Sequence, residues 1–213
     1  MTTLAIMKAR IADELGQRSD LTSQIAYAIS DAIAAYQAER FHFTETRSIS
    51  FPTVADQEFY DADDAAGIAN IWTIRLVTLT VGDNITSLGY MDPADMEVLS
   101  ASGTNTGQPM WYTWESNQIR LYPTPSEAWT VRVSCSASVA APATDSEAAN
   151  PWMTEAERLI RSRAKLELAV HVVRDQELAA SMGEAVAEAF RQLKDKTTKR
   201  LAAPGGRVKA MEF

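Results

Sequence analysis

The chain has 213 residues, of which 46% are hydrophobic and 23% charged, and its formal net charge is −8 at pH 7. These values lie close to those of soluble globular proteins, which excludes wholesale disorder, a collagen-like repeat and a coiled coil. A single cysteine, Cys135, excludes an intramolecular disulfide and a thiolate zinc site, and His42 and His171 are the only imidazoles in the sequence.

Hydropathy gives no membrane or secretion signal. No stretch approaches the roughly 18 consecutive apolar residues of a transmembrane helix. The N-terminal segment alternates apolar residues with Lys8, Arg10 and Asp13, unlike the apolar core of a signal peptide. We therefore expect a soluble intracellular protein without a membrane anchor, with either one chain-wide core or a core that carries an inserted module.

Charge is distributed unevenly along the chain. Residues 41–150 hold four basic and fourteen acidic side chains, whereas residues 194–213 hold six basic and two acidic ones. The acidic middle repels phosphate backbones, so we do not expect it to grip nucleic acid. The same repulsion suits a protein that nucleic acid slides past.

Two amphipathic helices are predicted near the N-terminus. Residues 4–15 have apolar side chains at helical spacing, and Gly16 follows where a helix would end. The second helix is capped by Asp20 or Thr22 and keeps an apolar residue every three or four positions as far as the aromatic residues 41–43.

The middle of the chain has the composition of a β module. It is rich in β-branched and aromatic residues broken by turn formers, which predicts a mainly antiparallel sheet. Strands are predicted at residues 46–51, 58–60, 72–81, 85–90, 110–115, 118–122 and 129–137. Hairpin turns are expected at residues 81–84 and 115–117, because Gly and Asn tolerate positive φ. Asp92 followed by Pro93 predicts a short capped helix.

Helical periodicity returns after a loop predicted at residues 138–151. Thr154 and Glu157 have the spacing of a capping box, which predicts a third helix with apolar positions that include Val170 and Val173. A fourth helix is predicted from the spacing of apolar residues between positions 178 and 193.

These elements predict an α+β fold. Each amphipathic helix needs a partner for its apolar stripe, and four stripes close one core. We therefore predict a four-helix bundle formed by residues 1–43 and 151–199, a β module inserted at residues 44–150, and an extended C-terminal arm at residues 200–213.

An acidic cluster in the β module is weighed first as a metal site. Asp61, Asp63 and Asp64 carry oxygen ligands of the kind that a hard cation prefers. The segment lacks the Gly and the bidentate Glu of an EF-type loop. A solvated acidic loop is therefore the favoured interpretation.

Glu115 is weighed as a general acid because Trp111 and Trp114 lie next to it. With Glu127 or Asp95 as a second carboxylate, it would give an alternative function, a cell-wall glycosidase. Aromatic residues in such a strand more often pack on the sheet faces or at a subunit contact, and this interpretation is favoured.

The other reactive side chains have structural interpretations. His171, in the third helix, is expected to be a hydrogen-bonded core or interface residue, His42 to close the second helix, and Cys135 to be a small buried hydrophobe. No Gly-rich phosphate loop, paired-His motif or nucleophile elbow is present in the sequence. We therefore predict no catalytic residue, no metal site and no cofactor, and a small-molecule-binding module has no sequence signal.

The C-terminal segment combines basic and apolar residues. Such a segment either frays or becomes ordered when a partner covers it, and its composition leaves both possibilities open.

Several segments taken together have the pattern of a known family. The second helix opens with Asp20-Leu21-Thr22 and leads to Arg40-Phe41-His42-Phe43. Gly107-Gln108-Pro109 precedes Tyr112 and the hairpin Ile119-Arg120-Leu121-Tyr122-Pro123-Thr124-Pro125, and Trp152 precedes Glu157, Leu159 and Ile160. In these segments the chain resembles the head-to-tail adaptor (connector) proteins of tailed phages, with the short-tailed type as the nearest expectation.

The resemblance implies a structural protein without enzymatic activity. Such adaptors form a ring, usually of twelve copies, that docks beneath the portal protein, carries the tail nozzle or tail tube, and lets double-stranded DNA pass without specific binding. It also implies a place in the virion, at the head-to-tail interface, after assembly in the host cytoplasm.

The resemblance also implies which residues form the contacts. The C-terminal arm of such adaptors reaches into the portal, so the expected portal-binding residues are Leu201, Arg207, Val208, Lys209, Met211 and Phe213. The expected ring or tail interface contains Trp111, Trp114, Asp61, Asp63 and Asp64.

Overall fold

The structure is a computed structural model that describes residues 2–101, 103 and 105–202. The chain forms two compact units, which we call the helical unit (residues 2–43 and 139–202) and the β unit (residues 44–138). The predicted α+β class is confirmed.

Helices and strands both occur in the described part of the chain. The α-helices are α1 (Leu4–Glu14), α2 (Thr22–Ala35), α3 (Pro93–Ser100), α4 (Pro151–Thr154), α5 (Glu157–Leu168) and α6 (Gln176–Leu201). The strands are β1 (Glu45–Pro52), β2 (Phe59–Tyr60), β3 (Ile71–Val81), β4 (Asn84–Tyr90), β5 (Thr106–Gly107), β6 (Trp111–Glu115), β7 (Gln118–Tyr122), β8 (Thr124–Pro125) and β9 (Thr130–Ala137).

The first two helices form where the sequence predicts them, but α2 is shorter than predicted. It ends at Ala35 and is preceded by a 3-10 turn, without a side-chain cap. Tertiary contacts hold the residues that follow: the ring of Tyr36 stacks on Phe190 of α6, and Gln37 Nε2 donates a hydrogen bond of 2.9 Å to the carbonyl oxygen of Val139. These contacts replace the last turns of the predicted helix.

The predicted capping box at Thr154 and Glu157 is wrong. Asn150 caps the short helix α4 by accepting a hydrogen bond of 3.1 Å from the amide of Trp152, and Thr154 Oγ1 donates to the carbonyl oxygen of Asn150. Glu157 opens the separate helix α5 and forms an ion pair of 3.1 Å with Arg10. The fixed φ of Pro151 favours this earlier start, because proline suits the first turn of a helix.

A π-helical segment, Ala169–Val173, connects α5 to α6 and ends at Arg174, whose φ is 58°. Asp175 then caps α6 by accepting a hydrogen bond of 3.0 Å from the amide of Leu178. The predicted apolar positions Val170 and Val173 are solvent-exposed, as is Val172 between them. This part of the prediction is wrong because a π turn is wider than an α turn and changes which side chains face the core.

The helical unit has one apolar core. Helix α5 contacts both α2 and α6, and α1 packs on α2 and α5. The largest fully buried side chains of this core are Met7, Ile11, Ile25, Ile29, Phe41 and Trp152. The indole of Trp152 meets Phe41 and Phe43 edge-on, with ring centroids 6.2 and 5.2 Å apart, and its N–H donates to the carbonyl oxygen of Val139 at 2.8 Å.

The β unit contains a seven-stranded sheet with the order β1-β9-β3-β4-β6-β7-β2 and a two-stranded sheet, β5-β8. Most neighbours are antiparallel, but β4–β6 and β5–β8 are parallel, so the sheet is mixed. The two predicted hairpin turns are confirmed: Gly82 joins β3 to β4 with φ 57°, and Ser116 and Asn117 join β6 to β7 with φ 51° and 59°.

Two parts of the large sheet enclose the core of the β unit. Val131, Val133 and Cys135 of β9 belong to the same buried cluster as Ile119 and Leu121 of β7. The rings of Phe51 in β1 and Tyr60 in β2 stack with centroids 4.9 Å apart in this cluster. Strands β9 and β7 therefore face the same apolar core from two sides.

Candidate functional site

The end of α6 is attached to the rest of the helical unit by charged side chains. Glu155 forms ion pairs with Lys196 and with Arg200, the latter at 3.5 Å. Lys194 Nζ lies 2.6 Å from Glu39 Oε2 and 5.0 Å from the centroid of the Phe41 ring. The hydrogen bond from Lys196 is the main cause that lowers the pKa of Glu155 below its usual value.

His42 belongs to the same attachment. Its backbone amide donates a hydrogen bond of 3.2 Å to Thr197 Oγ1 on α6, and its Nε2 lies 3.4 Å from Glu155 Oε2. Burial lowers the pKa of the imidazole, and the nearby Arg200 lowers it further. The side chain is only 6% exposed, so His42 joins segments of the helical unit.

His171 is exposed on the π-helical segment, and its Nε2 lies 3.3 Å from Glu167. The interpretation of this residue as a core histidine is therefore wrong, for the same reason as for the neighbouring valines. Among the described contacts of His171, none is with a serine, threonine or cysteine that it could activate as a nucleophile.

Asp61, Asp63 and Asp64 form a turn that is held by hydrogen bonds to the carboxylates of Asp61 and Asp64. Asp64 accepts hydrogen bonds from the amide of Asp61 at 3.0 Å and from Gln57 Nε2 at 2.9 Å, and Asp61 accepts from the amide of Asp63 at 2.9 Å. Gln118 Nε2 of β7 also donates to Asp61, at 3.2 Å. In the part of the chain that the structure describes, no cluster of acids, histidines or cysteines has the arrangement of a metal site.

The tryptophans of β6 have different environments. The indole of Trp111 covers Gly89 of β4 so closely that a Cβ at Gly89 would lie 2.4 Å from the ring. Trp114 lines a groove of about 430 Å³ together with Trp72, Tyr90 and other residues of β3 and β6. The sheet itself thus holds both rings, and 39% of Trp111 is left exposed.

Glu115 is exposed at the turn between β6 and β7, opposite Gln118. A general acid of a glycosidase lies in a water-excluding cleft across from its partner carboxylate. No contact of Glu115 with Glu127 or Asp95 is found among the described residues. The glycosidase alternative therefore has no support from a specific observation.

Arginine side chains group on the side of the sheet that faces away from the core. A cavity of about 630 Å³ is lined by Glu45, Thr46, Arg47, Arg75, Leu76 and Ser134. Arg132 precedes Ser134 by two residues on β9 and so shares its side of the strand. Sequence reasoning missed this group, although the alternation of Arg132 with two valines indicated an outward position.

Cys135 is fully buried in the β unit, as predicted. Burial raises the pKa of its thiol to about 11. Because the thiolate is the reacting species, we expect Cys135 to react with a disulfide reagent at pH 8 at least tenfold more slowly in the native protein than in urea. Native labelling at the denatured rate would contradict this, and a Ser48→Cys, Cys135→Ala variant supplies an exposed thiol as control.

The expected portal-binding residues are only partly covered by the structure. Leu201, the last residue of α6, is 37% exposed. Arg207, Val208, Lys209, Met211 and Phe213 lie outside the described residues. No described helix is long and apolar enough to cross a membrane.

Comparison with known proteins gives one strong finding. The family model described as SU10 adaptor protein matches residues 2–209, which is nearly the whole sequence. A search of curated proteins finds none that matches this chain.

Proposed function

Because this chain belongs to the SU10 adaptor protein family, and is thereby a structural phage head-to-tail adaptor of the virion, we propose that it acts as a ring of copies. The ring, of twelve subunits, docks below the portal protein through the C-terminal arm. It then serves as the platform for the tail nozzle or tail tube and surrounds the passing DNA. Assembly takes place in the host cytoplasm.

The attachment of α6 carries this proposal. Its last turns carry Lys196, Lys194 and Thr197, which contact Glu155, Glu39 and the backbone amide of His42, respectively. An arm that binds a partner benefits from a rigid attachment point. If the attachment were flexible, binding would have to order it, and the lost conformational entropy would weaken the complex. In the sequence, residues 203–213 follow Ala202 and combine Arg207 and Lys209 with apolar residues.

The helical unit is proposed to be the body to which the arm is attached. In this proposal α1, α2, α5 and α6 act together as a four-helix bundle, since all four contribute to one apolar core. A bundle is a stiff support because its packed side chains resist deformation. The portal-binding residues of the proposal remain Leu201, Arg207, Val208, Lys209, Met211 and Phe213.

The β unit is proposed to form the ring and tail-facing contacts, at Trp111, Trp114, Asp61, Asp63 and Asp64. Residues 44–138 hold twelve acidic and four basic side chains. This surplus of negative charge supports a passage that repels phosphate and lets DNA slide without being held.

Removing residues 203–213 tests the proposal. We expect the truncated protein to bind purified portal rings at least tenfold more weakly. Each copy loses its arm, so the ring no longer binds the portal through many arms at once. The truncation begins after Ala202 so that Arg200 keeps its ion pair with Glu155. Binding is measured by co-sedimentation with portal and by negative-stain imaging.

A matched control replaces residues 203–213 by a Gly/Ser segment of equal length. If side chains of the arm make the contact, the replacement behaves like the truncation, and a Thr2→Ser variant behaves like the native chain. Native-like portal binding by the truncated protein would refute the arm proposal.

A further inference from the structure

Opposite charges are separated within the β unit. Of its four arginines, Arg120 is buried on β7 in ion pairs with Glu58 and Glu97. The other three are exposed and lie on β1, β3 and β9, which are neighbours in the sheet. Almost all acids of the unit lie elsewhere. This separation of charges leaves a basic patch on a unit whose overall composition is strongly acidic.

The arginine face is the outward side of β1, β9 and β3, with Arg47, Arg75 and Arg132, all of them exposed. On β9, Arg132 and Ser134 alternate with buried Val131 and Val133, so they face away from the core. Arg75 forms an ion pair of 3.2 Å with Glu45. Within the described residues, Arg47 and Arg132 have no carboxylate at ion-pair distance.

The acidic face is grouped around β7. Its acids are Glu58, Asp61, Asp63, Asp64, Glu97 and Glu115. Arg120, the cation of this face, is held by Glu58 at 2.5 Å and by Glu97 at 2.6 Å. For the three aspartates and Glu115, no cationic partner is found in the described part of the chain.

The two faces point away from each other. On β7, Gln118 and Arg120 alternate with Ile119 and Leu121, which are buried in the same core as Val131 and Val133 of β9. The outward sides of two strands that face one core from two sides are directed apart. A single copy therefore cannot neutralise the arginine face with its own acidic face.

We propose that the arginine face of one copy docks on the acidic face of the next copy. Such a contact joins two different surfaces of the same protein, which is the heterologous type that closes rings. The inference rests on the proposed ring and identifies the surfaces that form it. Complementary charge also fixes the register of neighbours, because like faces repel each other.

Charge-reversal variants test this contact. The arginine variant carries Arg47→Glu and Arg132→Glu, and the acidic variant carries Asp63→Lys and Glu115→Lys. These four side chains are exposed and have no hydrogen bond or ion pair in the described structure, so native melting curves are expected. A combined variant carries all four changes and has the net charge of the native chain.

Assembly is measured by analytical ultracentrifugation and by imaging, with and without purified portal, at 0.05 and 0.5 M NaCl. We expect each two-residue variant to need at least tenfold more protein for assembly, and the combined variant to recover most of the loss. Higher salt is expected to weaken native assembly, since exposed charges are screened beyond about 8 Å at 0.15 M salt. A helical-unit variant, Asp31→Lys with Glu184→Lys, matches the charge change of the acidic variant and should assemble normally.

The outcomes separate the inference from the proposed function. If the native chain forms rings and the arginine and acidic variants assemble equally well, the proposed charge contact is overturned. The proposal that the protein forms a ring would then still stand. A native protein that forms no ring even on the portal would overturn the proposed function itself. Loss of duplex DNA binding in the arginine variant, with ring formation unchanged, would assign the arginine face to nucleic acid and overturn the inference.

Discussion

A Trp152→Ala variant is expected to lose about 3–5 kcal/mol of unfolding free energy, the range for truncating a buried tryptophan in a packed core. The side chain is fully buried and is the largest in the helical core. Its removal leaves a cavity beside the stacked rings of Phe41 and Phe43, which meet the indole edge-on.

The same substitution also removes a hydrogen bond. The indole N–H is the donor to the carbonyl oxygen of Val139, at 2.8 Å. A buried acceptor without a donor costs about 1–3 kcal/mol, and this cost is part of the expected loss. A Trp152→Phe variant keeps most of the ring volume and isolates the hydrogen-bond contribution, so it should lose less.

Urea denaturation followed by far-UV circular dichroism measures the effect. Trp72→Ala is the matched control, because this tryptophan is 50% exposed and its truncation leaves no closed cavity. We expect the control to change the unfolding free energy by less than about 1 kcal/mol. Equal shifts for the two variants would mean that Trp152 does not hold the helical core.

An Arg120→Met variant is expected to destabilise the β unit by about 2–3 kcal/mol. Removing one partner from a buried ion pair costs about 3–5 kcal/mol, because the remaining charge stays without compensation. The side chain of Glu97 is 70% exposed and can be solvated, so the expected loss lies below this range. Arg120 also donates to Ser100 Oγ at 2.7 Å and lies 5.1 Å from the ring centroid of Phe59.

Arg75→Met is the control for this variant. Among the described residues Arg75 forms one ion pair, with Glu45, and its side chain is 47% exposed. Exposed pairs contribute about 0–1 kcal/mol, so the control should unfold almost like the native chain. A destabilisation by Arg120→Met no larger than that of Arg75→Met would show that the Arg120 network contributes little to folding.

The local elements of the β unit were predictable because short-range patterns define them. Alternation in Thr130–Ala137 indicates a strand with one buried face, and Gly82 and Asn117 favour the backbone of tight turns. The buried position of Cys135 follows from the same alternation. These features depend on residues that are close in sequence, so a single sequence is enough to predict them.

The pairing of the strands was not predictable in this way. Thr46 pairs with Cys135 and Gly89 with Trp111, the latter in parallel orientation. Contacts between residues so far apart depend on which arrangement buries the most apolar surface, and many strand orders satisfy the same alternation. The mixed sheet and its two-stranded neighbour therefore emerge only on folding.

The helical unit shows how tertiary contacts choose among local alternatives. Both Asn150 and Thr154 are good caps, and the burial of Trp152 together with the pairing of Glu157 with Arg10 favours the start at Asn150. The π-helical segment likewise moves Val170 and His171 out to the surface. The free-energy differences between such alternatives are small compared with those of packing.

The sequence established the α+β class, the two chain-terminal helical segments around a β module, the acidic turn at residues 61–64 and the basic composition of the C-terminal segment. Each is a property of composition or of short-range periodicity. The arginine face and the attachment of α6 required the folded chain, since contacting residues such as Lys194 and Glu39 lie 155 positions apart. Charged residues that are distant in sequence form a common surface only where packing brings their strands and helices side by side.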